Sequence, residues 1–294
     1  MMINDIHRHI VYEETNCLSH YTFEKFIQSR SCIVKTAIFL HPQYKRLYPC
    51  PDGHRCRVID VDNGIKFECK TCGKIIYEGP DPYREGNIKL INLCKGHSKL
   101  FPFIYLTLSN NTMESEINYF ETNFKSHFYG IKVHPNLCSR KMSDIKFKSK
   151  YPLIIHCGMT EYDDPLDIVQ YAKGYPGKVI LAHLARCKES VLKDIANSDN
   201  IYIDTSPTYL PFQIAEQSTK RYFHSDVTNI NNVTHFFENL IKIVGEKKII
   251  FGTDIPWGSD EEALKLYNDL ALPEQQKRFI FKCNFENIIN ETIH

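Results

Sequence analysis

The chain has no apolar run approaching the ~20 residues that a membrane-spanning helix needs, so no part of it reads as a bilayer anchor. It has almost no excess of either charge: 36 Lys and Arg against 35 Asp and Glu leave a formal net charge of +1. So even a balance gives no global pull toward nucleic acid or a membrane surface. The opening residues, MMINDIHRHI, lack the basic-then-apolar build of a secretory leader, and a cytoplasmic, reducing location is expected. Low-complexity tracts and tandem repeats are missing as well, which excludes solenoids and disordered stalks as the organising principle.

What is present suffices for a large core. A length of 294 residues with 43% hydrophobic content suits one barrel-sized domain or two smaller ones. Eight short apolar, β-branched runs recur, at 3–7, 33–40, 103–108, 130–134, 153–156, 179–183, 201–204 and 249–252. Amphipathic stretches lie between and beyond them, at 87–99, 113–125, 165–173, 189–196, 232–244 and 260–270. Eight buried strands alternating with helices predict an α/β fold, a (β/α)8 TIM barrel, rather than an antiparallel sandwich. Residues 41–86 break the rhythm. They are rich in Pro, Gly, Cys and charge, and far exceed the ~2–6 residues of an ordinary βα connection. We read 1–40 and 87–294 as the barrel and 41–86 as an insertion after its second strand. Loops of this kind sit on the catalytic face, so the insertion should overhang the active site and set substrate choice. A second long loop, 206–228, follows the seventh strand on the same face.

The strand ends carry the chemistry. His7 and His9 flank Arg8 at the end of the first strand, where alternation sends both imidazoles to one side. His156 ends the fifth strand, His183 the sixth and Asp254 the eighth. One buried histidine is an ordinary core residue; three strand ends with histidine and a fourth with aspartate make a metal site.

These pieces resemble the amidohydrolase-related branch of the amidohydrolase superfamily, over most of the chain outside the insertion. The matching segments are Asp5-Ile-His7-Arg-His9, Gly130-Ile-Lys132-Val-His134-Pro135, Pro152-Leu-Ile-Ile-His156, Ile180-Leu-Ala-His183, Tyr202-Ile-Asp204-Thr-Ser206, Phe251-Gly-Thr-Asp254-Ile-Pro256 and Asn287. The resemblance implies that His7, His9, His156 and Asp254 bind a divalent metal. It implies that His183 contacts a second metal or polarises a substrate carbonyl, and that Asp254 shuttles the proton. Zn2+ is the expected ion, one or two per active site.

Lys132 is a ligand only if carbamylated; unmodified, it is a cation suited to a substrate carboxylate. His134 shares its side of the strand and either faces the site or caps the packing. Asp204 and Ser206 offer substrate hydrogen bonds or strand-end caps, and Arg186 a substrate anion site or a solvated charge.

Eleven cysteines in a cytoplasmic chain do not suggest a disulfide framework. Cys17, Cys32, Cys94, Cys138 and Cys283 are scattered, and Cys157 and Cys187 lie beside candidate ligands. Inside the insertion, Cys69-Lys-Thr-Cys72-Gly73 has zinc-knuckle spacing, and Cys50, His54 and Cys56 supply a less regular first half. Four of these five would hold one structural Zn2+ in a zinc ribbon, with residues 58–61 and 65–68 pairing about Asn63-Gly64.

The expected activity is metal-dependent hydrolysis of a C–N or C–O bond in a small organic substrate. Three alternatives stand beside it: a metal-dependent non-oxidative decarboxylase, a TatD-like metal-dependent deoxyribonuclease, and a zinc-ribbon binding module on a barrel scaffold. Against the nuclease, the fourth strand ends in Lys132 where those proteins place a glutamate, and the charge balance expects no nucleic-acid partner. The oligomeric state is left open, a homo-oligomer included.

Overall fold

Each of the eight apolar runs forms a strand in the computed structural model, which describes residues 3–10, 33–42, 50–62, 64–206 and 233–292. In chain order the strands are β1 (Ile3–Ile10), β2 (Ile33–Leu40), β3 (Cys56–Val61), β4 (Gly64–Cys69), β5 (Ile75–Gly79), β6 (Leu100–Tyr105), β7 (Gly130–Val133), β8 (Leu153–Ile155), β9 (Val179–Leu181), β10 (Ile201–Asp204) and β11 (Ile249–Ile250). One sheet runs β1-β2-β6-β7-β8-β9-β10-β11. A parallel bridge between Arg8 and Ile255, with Ile6 N–H donating to Phe251 C=O and His9 N–H to Ile255 C=O, both at 3.0 Å, joins its two ends. The expected barrel is observed.

Its longer helices are α1 (Arg84–Cys94), α2 (Met113–Phe124), α3 (Pro165–Lys173), α4 (Glu189–Ala196), α5 (Val233–Val244), α6 (Asp260–Asp269) and α7 (Asn284–Thr292). Local chemistry sets several of their starts. Asp164 accepts from Leu166 N–H ahead of Pro165, and Ser259 accepts from Glu262 N–H in a Ser-x-x-Glu box. Ile6, Phe39, Phe103, Ile154, Ile180 and Ile250 fill the barrel, and Phe285 and Ile288 of α7 join that cluster. Gly130 allows the close approach of β6 and β7: a Cβ there would lie 2.1 Å from the Phe103 ring.

Two elements differ most from the expected boundaries. The strand expected at 103–108 runs Leu100–Tyr105, taking in Pro102, whose C=O accepts from Tyr129 N–H. The helix expected at 87–99 runs Arg84–Cys94, because the strand beginning at Leu100 claims the residues after it.

Within the insertion, β3, β4 and β5 form a three-stranded antiparallel sheet. The expected hairpin is there, although Asn63 of its turn lies outside the described residues; the third strand was not expected. The sheet docks on loops at the carboxyl ends of the barrel strands. Ser109 Oγ donates to Asp60 (2.6 Å), Arg140 Nη1 to the same carboxylate (2.7 Å), Ser139 Oγ to Cys56 C=O (3.0 Å) and Asn111 to Val61 C=O (2.9 Å). Most of the loop expected at 206–228 falls outside the described residues. No helix among the described residues is long and apolar enough to cross a membrane.

Candidate metal centre

Alternation along β1 turns His7 and His9 to the barrel interior, where both are buried. Asp254 lies past β11 in the left-handed region (φ 56°), a conformation that a non-glycine residue adopts only when its surroundings hold it. Its N–H donates to His7 C=O at 2.7 Å, which fixes the two ligand-bearing segments to each other.

One nitrogen from each histidine and one Asp254 oxygen lie within 4.8 Å of one another. Asp254 Oδ1 is 3.2 Å from His7 Nε2 and 3.5 Å from His9 Nε2. His9 Nδ1 faces Leu40 C=O at 3.1 Å and so carries its proton there; its buried Nε2 keeps a lone pair with no hydrogen-bond partner. His7 Nδ1 donates to Asp204 Oδ2 at 2.8 Å and likewise leaves Nε2 for a ligand. Two imidazole lone pairs and a carboxylate, buried and convergent, fit a divalent cation.

The electrostatics agree. Burial pushes His9 down to about 3 and His183 down to about 4, so both are neutral imidazoles. Burial and Lys132 also oppose charge on His7, but Asp204 and Asp254 on either side outweigh them and raise its pKa. Burial alone would raise Asp254, yet the charge and hydrogen bond of His7 hold it well below the carboxylate range. The two carboxylates call for positive charge between them, which a bound cation would supply.

Behind these side chains stand carboxylates that fix them. Asp204, assigned above to substrate or to capping, is fully buried behind His7. Its Oδ1 accepts from His183 N–H (3.1 Å), Ser206 N–H (3.0 Å) and Ser206 Oγ (2.6 Å), so its position suits orienting His7 and not touching substrate. Burial would raise its carboxyl, but His7 holds it down at about 2. Asp5 had no assigned role. It accepts from His7 N–H (2.9 Å), Thr253 N–H (3.0 Å), Thr253 Oγ1 (2.7 Å) and Arg8 Nε (3.1 Å), tying β1 to the segment that bears Asp254. An aspartate inside an apolar run, two residues before a ligand, was the available signal.

Not every expected ligand joins the cluster. His183 opens a run of left-handed residues that ends at Cys187. Its Nδ1 donates to Ser206 C=O at 2.6 Å and lies 3.9 Å from Asp254 Oδ2. Its Nε2 then accepts from His156 Nδ1 at 2.9 Å. His156 is thus linked to the triad through His183 and is not one of the three mutually close ligands. His134 stacks on His156 at 4.7 Å and on Tyr105 at 5.4 Å, in the packing around the site. Arg186 Nε donates to Cys157 C=O at 3.0 Å. Lys132 Nζ is 3.2 Å from His7 Nε2, and burial pushes its amine down to about 8.

Part of the chain matches the amidohydrolase family model. The matching profile covers residues 148–284, which include His156, His183, Asp204 and Asp254. Solved structures share the barrel along its length. A Staphylococcus aureus protein described as an amidohydrolase is 13% identical, with a TM-score of 0.62 over 99% of this chain and 100% of that one. A 2,6-dihydroxybenzoate decarboxylase from Rhizobium is 11% identical, at 0.60 over 98% and 99%. A 5-carboxyvanillate decarboxylase from Novosphingobium aromaticivorans, complexed with manganese, is 10% identical, at 0.59 over 98% and 95%. No curated protein matches the sequence. The amidohydrolase resemblance and the TIM-barrel expectation are both borne out.

Proposed function

We propose that this amidohydrolase-family chain is a metal-dependent hydrolase acting on a C–N or C–O bond of a small organic substrate. The observation that carries the reading is the convergence of His7 Nε2, His9 Nε2 and Asp254 within 4.8 Å at the carboxyl end of the barrel. These three residues would hold a divalent cation, Zn2+ by our reading, which would supply Lewis acidity and ease deprotonation of water near neutral pH. Asp254 Oδ2, turned toward His183, takes a proton from the attacking water and returns it to the leaving group. His183, anchored by Ser206 C=O, lines the site on the Asp254 side. Lys132 places positive charge beside His7, where it would hold a substrate carboxylate.

A second reading, non-oxidative decarboxylation of an aromatic acid, draws support from that buried cation and from the decarboxylases among the similar structures. One screen separates the two. Metal-loaded protein is given amides and lactones, with hydrolysis followed, and hydroxybenzoic acids, with CO2 release followed. Hydrolysis that disappears in Asp254→Asn, with the fold intact by circular dichroism, supports the first reading. CO2 release without hydrolysis selects the second. Activity that survives Asp254→Asn overturns both.

A further inference from the structure

The inserted sheet contains a second convergence of ligand-type atoms, away from the barrel histidines. One ligand atom from each of Cys50, His54, Cys69 and Cys72 lies within 4.8 Å of the others. The geometry points to a structural zinc site formed by these four residues, with Cys56 excluded, which locks the ribbon onto the catalytic face of the barrel.

The two halves of the cluster are built alike. Cys50-Pro-Asp-Gly53 and Cys69-Lys-Thr-Cys72-Gly73 each turn through a glycine in the left-handed region, φ 77° at Gly53 and 70° at Gly73. Gly53 N–H returns to Cys50 C=O at 2.7 Å, and Gly73 N–H to Cys69 C=O at 3.0 Å. Cys50 N–H donates to His54 C=O and Cys69 N–H to Lys74 C=O, each at 2.9 Å, while Lys70 N–H donates to Arg55 C=O at 2.9 Å and ties the halves together. Backbone N–H groups of Thr71 (3.4 Å) and Cys72 (3.3 Å) point at Cys69 Sγ, a setting that favours a thiolate. The buried Nδ1 of His54 has no hydrogen-bond partner.

Three thiolates and one imidazole complete the tetrahedral set of a closed zinc site, and binding releases the thiol protons to solvent. Cys56 is the fifth candidate and lies outside the cluster. It sits in β3 directly opposite Cys69, and its C=O accepts from Ser139 Oγ of the barrel. The irregular first half therefore resolves in favour of His54.

The site's position gives it a consequence. The same sheet is fastened to the loops after β6 and β7 through Asp60, Val58 C=O and Val61 C=O, and Lys70 Nζ reaches Tyr162 Oη at 2.8 Å in the loop after β8. With so little core of its own, the ribbon keeps its shape through the ion, and the barrel mouth keeps that wall through the ribbon.

The test is metal analysis of the full chain in a His7→Ala/His9→Ala background, which removes the barrel ligands from the count. We expect about one zinc per chain, as a four-ligand structural site requires. It should be lost on adding Cys69→Ser or His54→Ala and retained on adding Cys56→Ser. Trypsin should cut within 50–79 of the wild-type chain only after chelation, leaving the barrel intact. No zinc in the background protein, or loss with Cys56→Ser and retention with His54→Ala, overturns the assignment. Should the background protein not fold, anomalous scattering at the zinc edge from wild-type crystals decides: an ion among three sulfurs at about 2.3 Å and one His54 nitrogen at about 2.0–2.1 Å is expected. A site lacking that ion, or bonded to Cys56, refutes it.

Discussion

Replacing Asp204 by Asn tests whether the carboxylate behind His7 governs metal affinity. The substitution keeps the shape of a fully buried side chain that accepts from His7 Nδ1, His183 N–H, Ser206 N–H and Ser206 Oγ. It removes a negative charge beside His7, and it can turn an amide N–H toward Nδ1. That contact would favour the proton on Nε2, the nitrogen needed for the ion. Losing such a supporting partner typically weakens metal binding about 10–100-fold, or about 1.4–2.8 kcal/mol. Competition against a chromophoric chelator at neutral pH reads the affinity directly, with circular dichroism to show that the barrel is intact. Ser206→Ala removes only the hydroxyl contact and should cost less. An Asp204→Asn dissociation constant within about twofold of wild type would refute the assignment of Asp204 to orienting His7.

Further predictions follow from the same geometry. Gly252→Ala would bring a Cβ to 2.8 Å from His7 Cβ, so it should weaken metal binding and cost about 1–3 kcal/mol of stability; unchanged affinity and melting temperature contradict this. His9 and His183 are held neutral, near 3 and 4, so the unfolded chain binds protons below about pH 6.5 that the metal-free folded chain refuses. That stability is complete above the unfolded value and is lost as pH falls toward the folded values. The metal-free melting temperature should therefore drop between about pH 7 and pH 4.5, and less steeply in His183→Gln; a flat profile contradicts the burial argument. Lys132 should stay an unmodified amine, with barrel metal content unaffected by bicarbonate. Uptake of a second barrel ion on adding bicarbonate would show a carbamate bridge.

The barrel was legible because parallel strands covered on both faces read as apolar runs ending in a polar residue, as 153–156 does at His156. Of the strand-end residues read as ligands, His7, His9 and Asp254 lie within 4.8 Å of one another, while His156, which reads the same in sequence, contacts His183, since a strand end fixes a direction and not a distance. Asp5 and Asp204 were hard to place because orienting carboxylates leave no spacing rule; their most distant partners, Thr253 and His7, are 248 and 197 residues away in the chain. The third ribbon strand went unseen because β5 has no fully buried residue, exposes Ile75 and carries no alternating pattern.

The central claim, a divalent cation held by His7, His9 and Asp254, is tested most directly by Mn2+ titration of metal-stripped protein, with free Mn2+ followed by electron paramagnetic resonance. Mn2+ favours carboxylate and imidazole over thiolate, so the titration reports the barrel and not the ribbon. The account predicts saturable uptake by wild type, undiminished in Cys72→Ser and lost in both His9→Ala and Asp254→Asn. Uptake equal in wild type and in both barrel variants would contradict it.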